Sequence, residues 1–248
     1  MGDAGNQVGV IALIAVLVGI SIGAVGVGGV ALPPALTWFA RLDPHTAAGT
    51  STFSFLLTGL AGTLAYARHK AVPWRMAGLL TCGVAPAAAL GSLVNGMLPD
   101  PVVMIPLGVF ATAAGLYHLL LRRRTTAGTG EMGATTTIAV GVLVGFCSAL
   151  TGTGGPVFLI PVLLALRVPA VTAVAAGQVI QLPLVGFATA AYAYQGLVVY
   201  GKGTLIGVIA AAGVVLGARL ALRLRQDQLQ RITSAALITL GVVVLAAV

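Results

Sequence analysis

The sequence predicts an all-α integral membrane protein: an inverted-topology repeat bundle of about 8–10 transmembrane segments with two broken, re-entrant half-helix regions. Three observations predict it. Only 7% of the 248 residues are charged and 58% are apolar, with a mean hydropathy of +1.06. A soluble domain carries about 25% charged residues, so this chain has too few ionised groups to cover a surface in water. Glycine contributes 34 residues, roughly twice its ordinary share, as close helix packing or broken helices require. Finally, a glycine-rich motif followed by proline occurs once in each half of the chain.

A bilayer core of about 30 Å takes roughly 20 apolar residues per helix. Breaks at charges, prolines and glycines give segments at 7–24, 28–40, 44–67, 74–95 and 99–121. After Arg122, Arg123 and Arg124 and a polar stretch, segments recur at 137–150, 156–167, 169–194, 201–223 and 228–248. The chain thus divides into a first repeat (1–124), a linker (125–136) and a second repeat (137–248). Gly26, Gly28 and Gly29 of GVGG recur 126 positions later as Gly152, Gly154 and Gly155 of TGTGG. In the next segment Ala48-Gly49 and Tyr66 recur as Ala176-Gly177 and Tyr194, at an offset of 128.

Basic residues set the orientation, because Lys and Arg accumulate in short cytoplasmic loops. With the triple-arginine linker inside, all of the 13 basic residues except Arg41 and Lys202 are cytoplasmic. Loops 68–75, 122–131 and 223–231 are inside and both termini outside. Equivalent loops 68–75 and 195–202 then face opposite sides, which inverts the repeats. The formal charge of +8 therefore reports topology. The expected partners are a small anion and the lipid bilayer, without nucleic acid, and composition leaves the oligomeric state open. Asp3 near the N-terminus, in place of basic residues, argues for a mature segment instead of a cleavable signal. Cys82 and Cys147 lie within apolar stretches and are expected to be inert packing residues.

Segments 28–40 and 156–167 are too short to span and each opens on a Gly/Pro break, so they read as half-helices that begin inside the membrane. Irregular backbone at that depth occurs where it is buried in protein or lines a cavity. A half-helix N-terminus presents unpaired N–H groups and partial positive charge, and two of them converging near the midplane favour an anion. The competing reading, glycines that merely let helices approach, is weakened by the duplication. A dinucleotide fingerprint is excluded because no strand or acidic ribose partner accompanies the glycines.

The helix after each break adds Thr50, Ser51, Thr52 and Ser54 in the first half and Gln178 and Gln181, on one face at i,i+3, in the second. The 128 offset pairs Thr50 with Gln178 in one polar layer. Ser21, Ser148, Thr151 and Thr153 lie near the breaks. For single serines and threonines, interhelical or back-to-own-helix bonding is the preferred role; for the two glutamines, the site is. Arg41 and Arg167 end the two half-helices at equivalent positions, where they cap a helix dipole or steer anions to each mouth.

All five carboxylates (Asp3, Asp43, Asp100, Glu131, Asp227) fall in loops or termini, so the buried acids of proton relays are missing and proton coupling would ride on the substrate or on groups near the mouths. His45, His69 and His118 sit near helix ends. No nucleophile–base arrangement, metal-ligand cluster or cofactor motif appears, so no catalytic residues, metal or cofactor are expected.

At GISIGAVGVGGVALPPAL, DPHTAAGTS, GFCSALTGTGGPVFLIPVLLALRVP and AVAAGQ the sequence resembles the sulfite exporter TauE/SafE family, also called the 4-toluene sulfonate uptake permease family. The resemblance covers nearly the whole chain. It implies a bacterial or archaeal inner-membrane permease that moves a sulfur-containing anion such as sulfite, thiosulfate, sulfoacetate or another organosulfonate, with no enzymatic cofactor. One departure is visible: Pro156 follows Gly155 directly, whereas Val30 follows Gly29 and the tandem prolines wait until Pro33 and Pro34. The substrate-binding candidates are Gly26, Gly28, Gly29, Thr50, Ser51, Ser54, Thr151, Gly152, Thr153, Gly154, Gly155, Gln178 and Gln181, with Arg41 and Arg167 at the mouths. An anion channel and a non-transporting accessory subunit are the alternative functions.

Overall fold

The computed structural model describes residues 2–95, 132–151 and 155–246 together with isolated positions between 105 and 119, and no strand occurs among them. The helices are α1 (Gly2–Val25), α2 (Leu32–Ala40), α3 (Pro44–Arg68), α4 (Trp74–Asn95), α5 (Ala134–Thr151), α6 (Pro156–Ala165), α7 (Ala170–Tyr194), α8 (Tyr200–Arg223) and α9 (Gln226–Ala246), with a 3-10 turn at Gly29–Ala31 before α2. Most of the expected segment 99–121, the triple arginine and linker residues 125–131 lie outside the described residues; α5 starts inside the expected linker.

Local chemistry explains the helix ends. Asp43 opens α3: its carboxylate accepts the Thr46 N–H at 3.0 Å, and Pro44 occupies the first turn, where its missing N–H costs nothing. That hydrogen bond holds the exposed Asp43 carboxyl below its ordinary titration range. Arg41 and Arg167 follow α2 and α6 in the left-handed conformation, at φ 51° and 63°. That conformation returns the chain after each short helix at a cost of about 1 kcal/mol. With 9 and 10 residues, α2 and α6 reach only about 15 Å, half of a bilayer core. By length and composition, α7 and α8 meet the requirement for a membrane span. The apolar stretches Ile11–Val25 and Ala134–Ala149 are shorter among the described residues.

The order long, short, long, long occurs twice, α1–α4 and α5–α8. Helix bounds recur at an offset of 126: Pro44 and Ala170, Arg68 and Tyr194, Trp74 and Tyr200. The left-handed residues keep the same interval, Arg41 with Arg167 and Lys70 with Gly196. This corrects the 128 offset for α3 and α7. Turn geometry and helix length set the correspondence, and the Ala-Gly pair at 48 and 176 is a chance identity two residues out of register. Tyr66 therefore corresponds to Tyr192, not Tyr194, Gln178 to Thr52, and Thr63 to Thr189.

Glycines join helices from different halves. A Cβ on Gly19 would run into the Ala210 carbonyl and one on Gly23 into that of Val214, while Gly213 and Gly217 meet the backbone of α1 at Val16 and Ile20. Both series ascend together, so α1 and α8 run parallel in backbone contact, as small residues permit. Gly83 and Gly91 of α4 meet Ile138 and Phe146 of α5, and Gly141 and Gly145 meet Leu80 and Val84, again in parallel. Between these pairs α3 and α7 cross antiparallel, with Gly62 against Gln178, Gly59 against Leu182 and Gly49 against Tyr192. The outward face of α8 exposes Leu205, Val208, Leu216 and Leu220, an apolar stripe opposite its glycines.

Candidate functional site

The first break forms because α1 ends at Val25 and Gly26 and Gly28 take φ of 72° and 145°, conformations that side chains other than glycine's rarely adopt. Gly26 N–H still bonds to the Ile22 carbonyl at 2.9 Å, and Ala31 N–H bonds to Gly28 at 3.1 Å. Between them the N–H groups of Val27, Gly28, Gly29 and Val30 have no acceptor among the described residues. The second break ends at Gly155, φ 98°, which caps α6 with Pro156 in its first turn. Its carbonyl accepts from Phe158 and Leu159, both at 3.2 Å, and from the Ser148 hydroxyl at 3.4 Å. Gly152, Thr153 and Gly154 lie outside the described residues, as does the Thr151 side chain.

Packing brings the two breaks together. A Cβ on Gly26 would lie 3.3 Å from Pro156 Cβ and overlap the Ile160 side chain. Gly29 lies against the Phe55 ring, and Gly155 against Leu184 and Ile180. Phe55 and Leu184 are mid-length in their 25-residue helices, so both breaks sit at the middle of the α3/α7 crossing. Pro183, inside α7, removes one helical hydrogen bond at the same level.

The polar side chains separate into groups. Ser51 is fully buried and its hydroxyl has no partner among the described residues; it lies one turn from Phe55 on the face of α3 that meets the first break. Ser54 and Thr50 instead tie α3 to α8: the Ser54 hydroxyl donates to the Gly203 carbonyl at 2.8 Å, and Thr50 Oγ1 accepts the Val199 N–H at 3.1 Å. Gln181 Nε2 donates to the Phe55 carbonyl at 3.1 Å and to Thr58 Oγ1 at 3.2 Å. Gln178 Nε2 donates to the Ile22 carbonyl at 3.0 Å, leaving its buried Oε1 against Gly62 without a partner among the described residues.

Thr50 and Gln178 do not form one layer. Gln178 stands opposite Gly62, and Thr50 is 12 residues from Gly62, about 18 Å along the helix axis. In an antiparallel pair, residues at equal sequence intervals lie on opposite sides of the crossing, so an offset match does not put them at one depth. Sequence reasoning expected free N–H groups at the half-helix starts but did not single out Val27, Val30, Phe55 or Thr58. At the end of the bundle where α2 finishes, Lys202 Nζ donates to the Ala40 carbonyl at 3.3 Å, which sets two exposed cations, Arg41 and Lys202, side by side. Arg167 is exposed at the end of α6.

A family model described as sulfite exporter TauE/SafE matches residues 11–244. A probable membrane transporter protein of Xylella fastidiosa (strain 9a5c) is 32% identical over 167 residues, which cover 64% of this chain and 63% of that protein. The probable membrane transporter protein YunE of Bacillus subtilis (strain 168) is 25% identical over 184 residues, 62% of this chain and 67% of YunE. The chain thus matches a little under two thirds of the Xylella protein's length. No solved structure matches it.

Proposed function

The chain belongs to the sulfite exporter TauE/SafE family, a multi-pass membrane transporter family, and on that premise we propose that it is a permease for a sulfur-containing anion, acting by alternating access. Sulfite, thiosulfate, sulfoacetate and other organosulfonates are the candidate substrates, carried across a bacterial or archaeal inner membrane without covalent chemistry. The observation that carries the reading is the row of N–H groups at Val27–Val30 that find no acceptor among the described residues, beside Pro156 and Ile160 of the second break. Neutral N–H donors at a helix start stabilise an oxyanion without requiring a countercharge, and desolvated surroundings strengthen each contact. Ser51 adds a hydroxyl on the same face, while Gly155 and α6 close the other side.

The antiparallel run of α3 and α7 at a 126-residue offset supports an inverted repeat, in which rocking of paired helices exposes a central site to either side. The loops at 68–75 and 223–231 are then cytoplasmic, Arg41 and Lys202 line the external mouth and Arg167 the internal one. The test is uptake into reconstituted vesicles of sulfite, thiosulfate, sulfoacetate, a taurine-like zwitterion and sulfate, with and without a pH gradient. Saturable uptake of one sulfur oxyanion is expected, with the zwitterion excluded because the sequences of the two breaks, 25–31 and 151–156, contain no acidic residue to receive its ammonium. Non-saturating flux indicates a channel, and no flux from folded protein overturns the reading.

A further inference from the structure

Side-chain hydrogen bonds divide the bundle unequally. Among the described residues, those leaving the α3/α7 pair end on α1, on α8 or on the loop before α8. Tyr66 Oη donates to the Gly23 carbonyl at 2.7 Å, Gln178 to Ile22, Ser54 to Gly203, and Thr50 accepts from Val199. Leu80, Val84 and Val144 of the α4/α5 pair join the same core through apolar contact. The glycine contacts hold α1 to α8 and α4 to α5 as two tightly packed units. Among the described residues, therefore, these polar bonds of the central pair run to the α1/α8 unit.

The 126 offset identifies what the other state would require. Tyr66 corresponds to Tyr192 and Gly23 to Ala149, in the sequences GTLAYA (62–67) and ATAAYA (188–193). Tyr66 is fully buried on its carbonyl; the Tyr192 hydroxyl, half-buried, makes no hydrogen bond among the described residues. Ala149 lies in α5, where it meets Gly91 of α4. An inverted repeat reaches its opposite-facing state by exchanging the arrangements of its two halves, and that exchange makes the Ala149 carbonyl the acceptor for Tyr192.

We propose that Tyr66 and Tyr192 are alternating latches: Tyr66 holds the α3/α7 pair on the α1/α8 unit in the state seen here, and Tyr192 holds it on α5 of the α4/α5 unit in the opposite-facing state. Both are positioning residues that select which side opens. The proposal rests on the alternating-access reading but not on the identity of the substrate. A phenol hydroxyl on a buried main-chain carbonyl suits such a latch because making or breaking one bond changes the population of two states severalfold without trapping either.

The test uses thiol labelling of the full-length protein in vesicles with a membrane-impermeant maleimide applied from each side. Cys147 is the 126-offset counterpart of Ser21, which touches Gly28 of the first break. One reporter is therefore native Cys147 in a Cys82→Ala background, and the other Ser21→Cys in a Cys82→Ala/Cys147→Ala background. Tyr66→Phe and Tyr192→Phe should move the ratio of the two labelling rates in opposite directions, each by about fivefold, as the loss of one net hydrogen bond implies. Tyr192→Phe removes a hydroxyl that makes no bond among the described residues, so its folding is expected to be unchanged and monodispersity in gel filtration checks it. Shifts in the same direction, or unchanged ratios in folded variants with normal anion uptake, overturn the latch alone. Opposite shifts without uptake of any tested anion would uphold the two-state latch and remove the substrate reading.

Discussion

Replacing Ser51 by alanine gives opposite signs in two measurements if the hydroxyl serves a ligand. Ser51 Oγ is fully buried and has no partner among the described residues, and such a group carries a desolvation penalty of about 1–3 kcal/mol. Deleting it leaves a methyl-sized gap but relieves that penalty, so Ser51→Ala should be neutral to stabilising. In a chain of this length about 1 kcal/mol appears as a rise in Tm of roughly 2–4 °C. Anion binding should move the other way. A hydroxyl donated to an ionised oxygen is worth about 1.5–3 kcal/mol, so affinity should fall by roughly 10-fold to 100-fold. The neighbouring Ser54→Ala provides the contrast: its hydroxyl already bonds to the Gly203 carbonyl at 2.8 Å, so its loss should lower Tm and leave affinity nearly unchanged. Thermal unfolding followed by tryptophan fluorescence, with sulfite titrated into both variants, measures both quantities. A less stable Ser51→Ala protein with wild-type affinity would refute the reasoning and make Ser51 a packing residue.

Gly28→Ala should abolish anion binding and lower stability, because φ of 145° excludes a side chain and the new Cβ would sit 2.9 Å from Ser21 Cβ; a folded variant with unchanged uptake would separate the break from the site. Arg41→Gln with Lys202→Gln should slow uptake at low ionic strength and lose that difference at high salt, as screened steering requires, whereas equal rates in both salts would leave the two cations a helix-capping role only. Asp43→Ala should weaken the start of α3 at neutral pH. The Asp43 carboxyl titrates below its ordinary range because of Thr46, so its contribution is present above that range and fades as pH falls through the folded-state value. Melting curves of wild type and variant should therefore converge in acid, and a pH-independent difference would contradict the cap.

The all-helical fold class and the positions of the two breaks were legible in the sequence because each rests on local chemistry. Charge content dictates the solvent, a Gly-rich stretch followed by proline interrupts a helix wherever it occurs, and Asp43-Pro44 starts one. The breaks expected at 26–29 and 152–155 agree with the helix bounds to within a few residues. Register of α3 against α7 was misread, although the glycine motifs already recur at 126. Ala48-Gly49 and Tyr66 matched their counterparts at 128 by identity, whereas helix length and left-handed turn residues set 126. The two-residue slip moved Gln178 opposite the wrong partner and hid the Thr63/Thr189 and Tyr66/Tyr192 pairs.

The sequence by itself determined that this chain belongs in a bilayer and where its helices break, since those follow from residue type and spacing. Only the tertiary structure decided which hydroxyls are engaged. Whether Ser54 bonds to α8, Ser51 to nothing and Tyr66 to α1 depends on which backbones the glycines at 19, 23, 213 and 217 allow to touch. A serine's composition and neighbours are the same in either case; the carbonyl that answers it comes from a segment more than a hundred residues away.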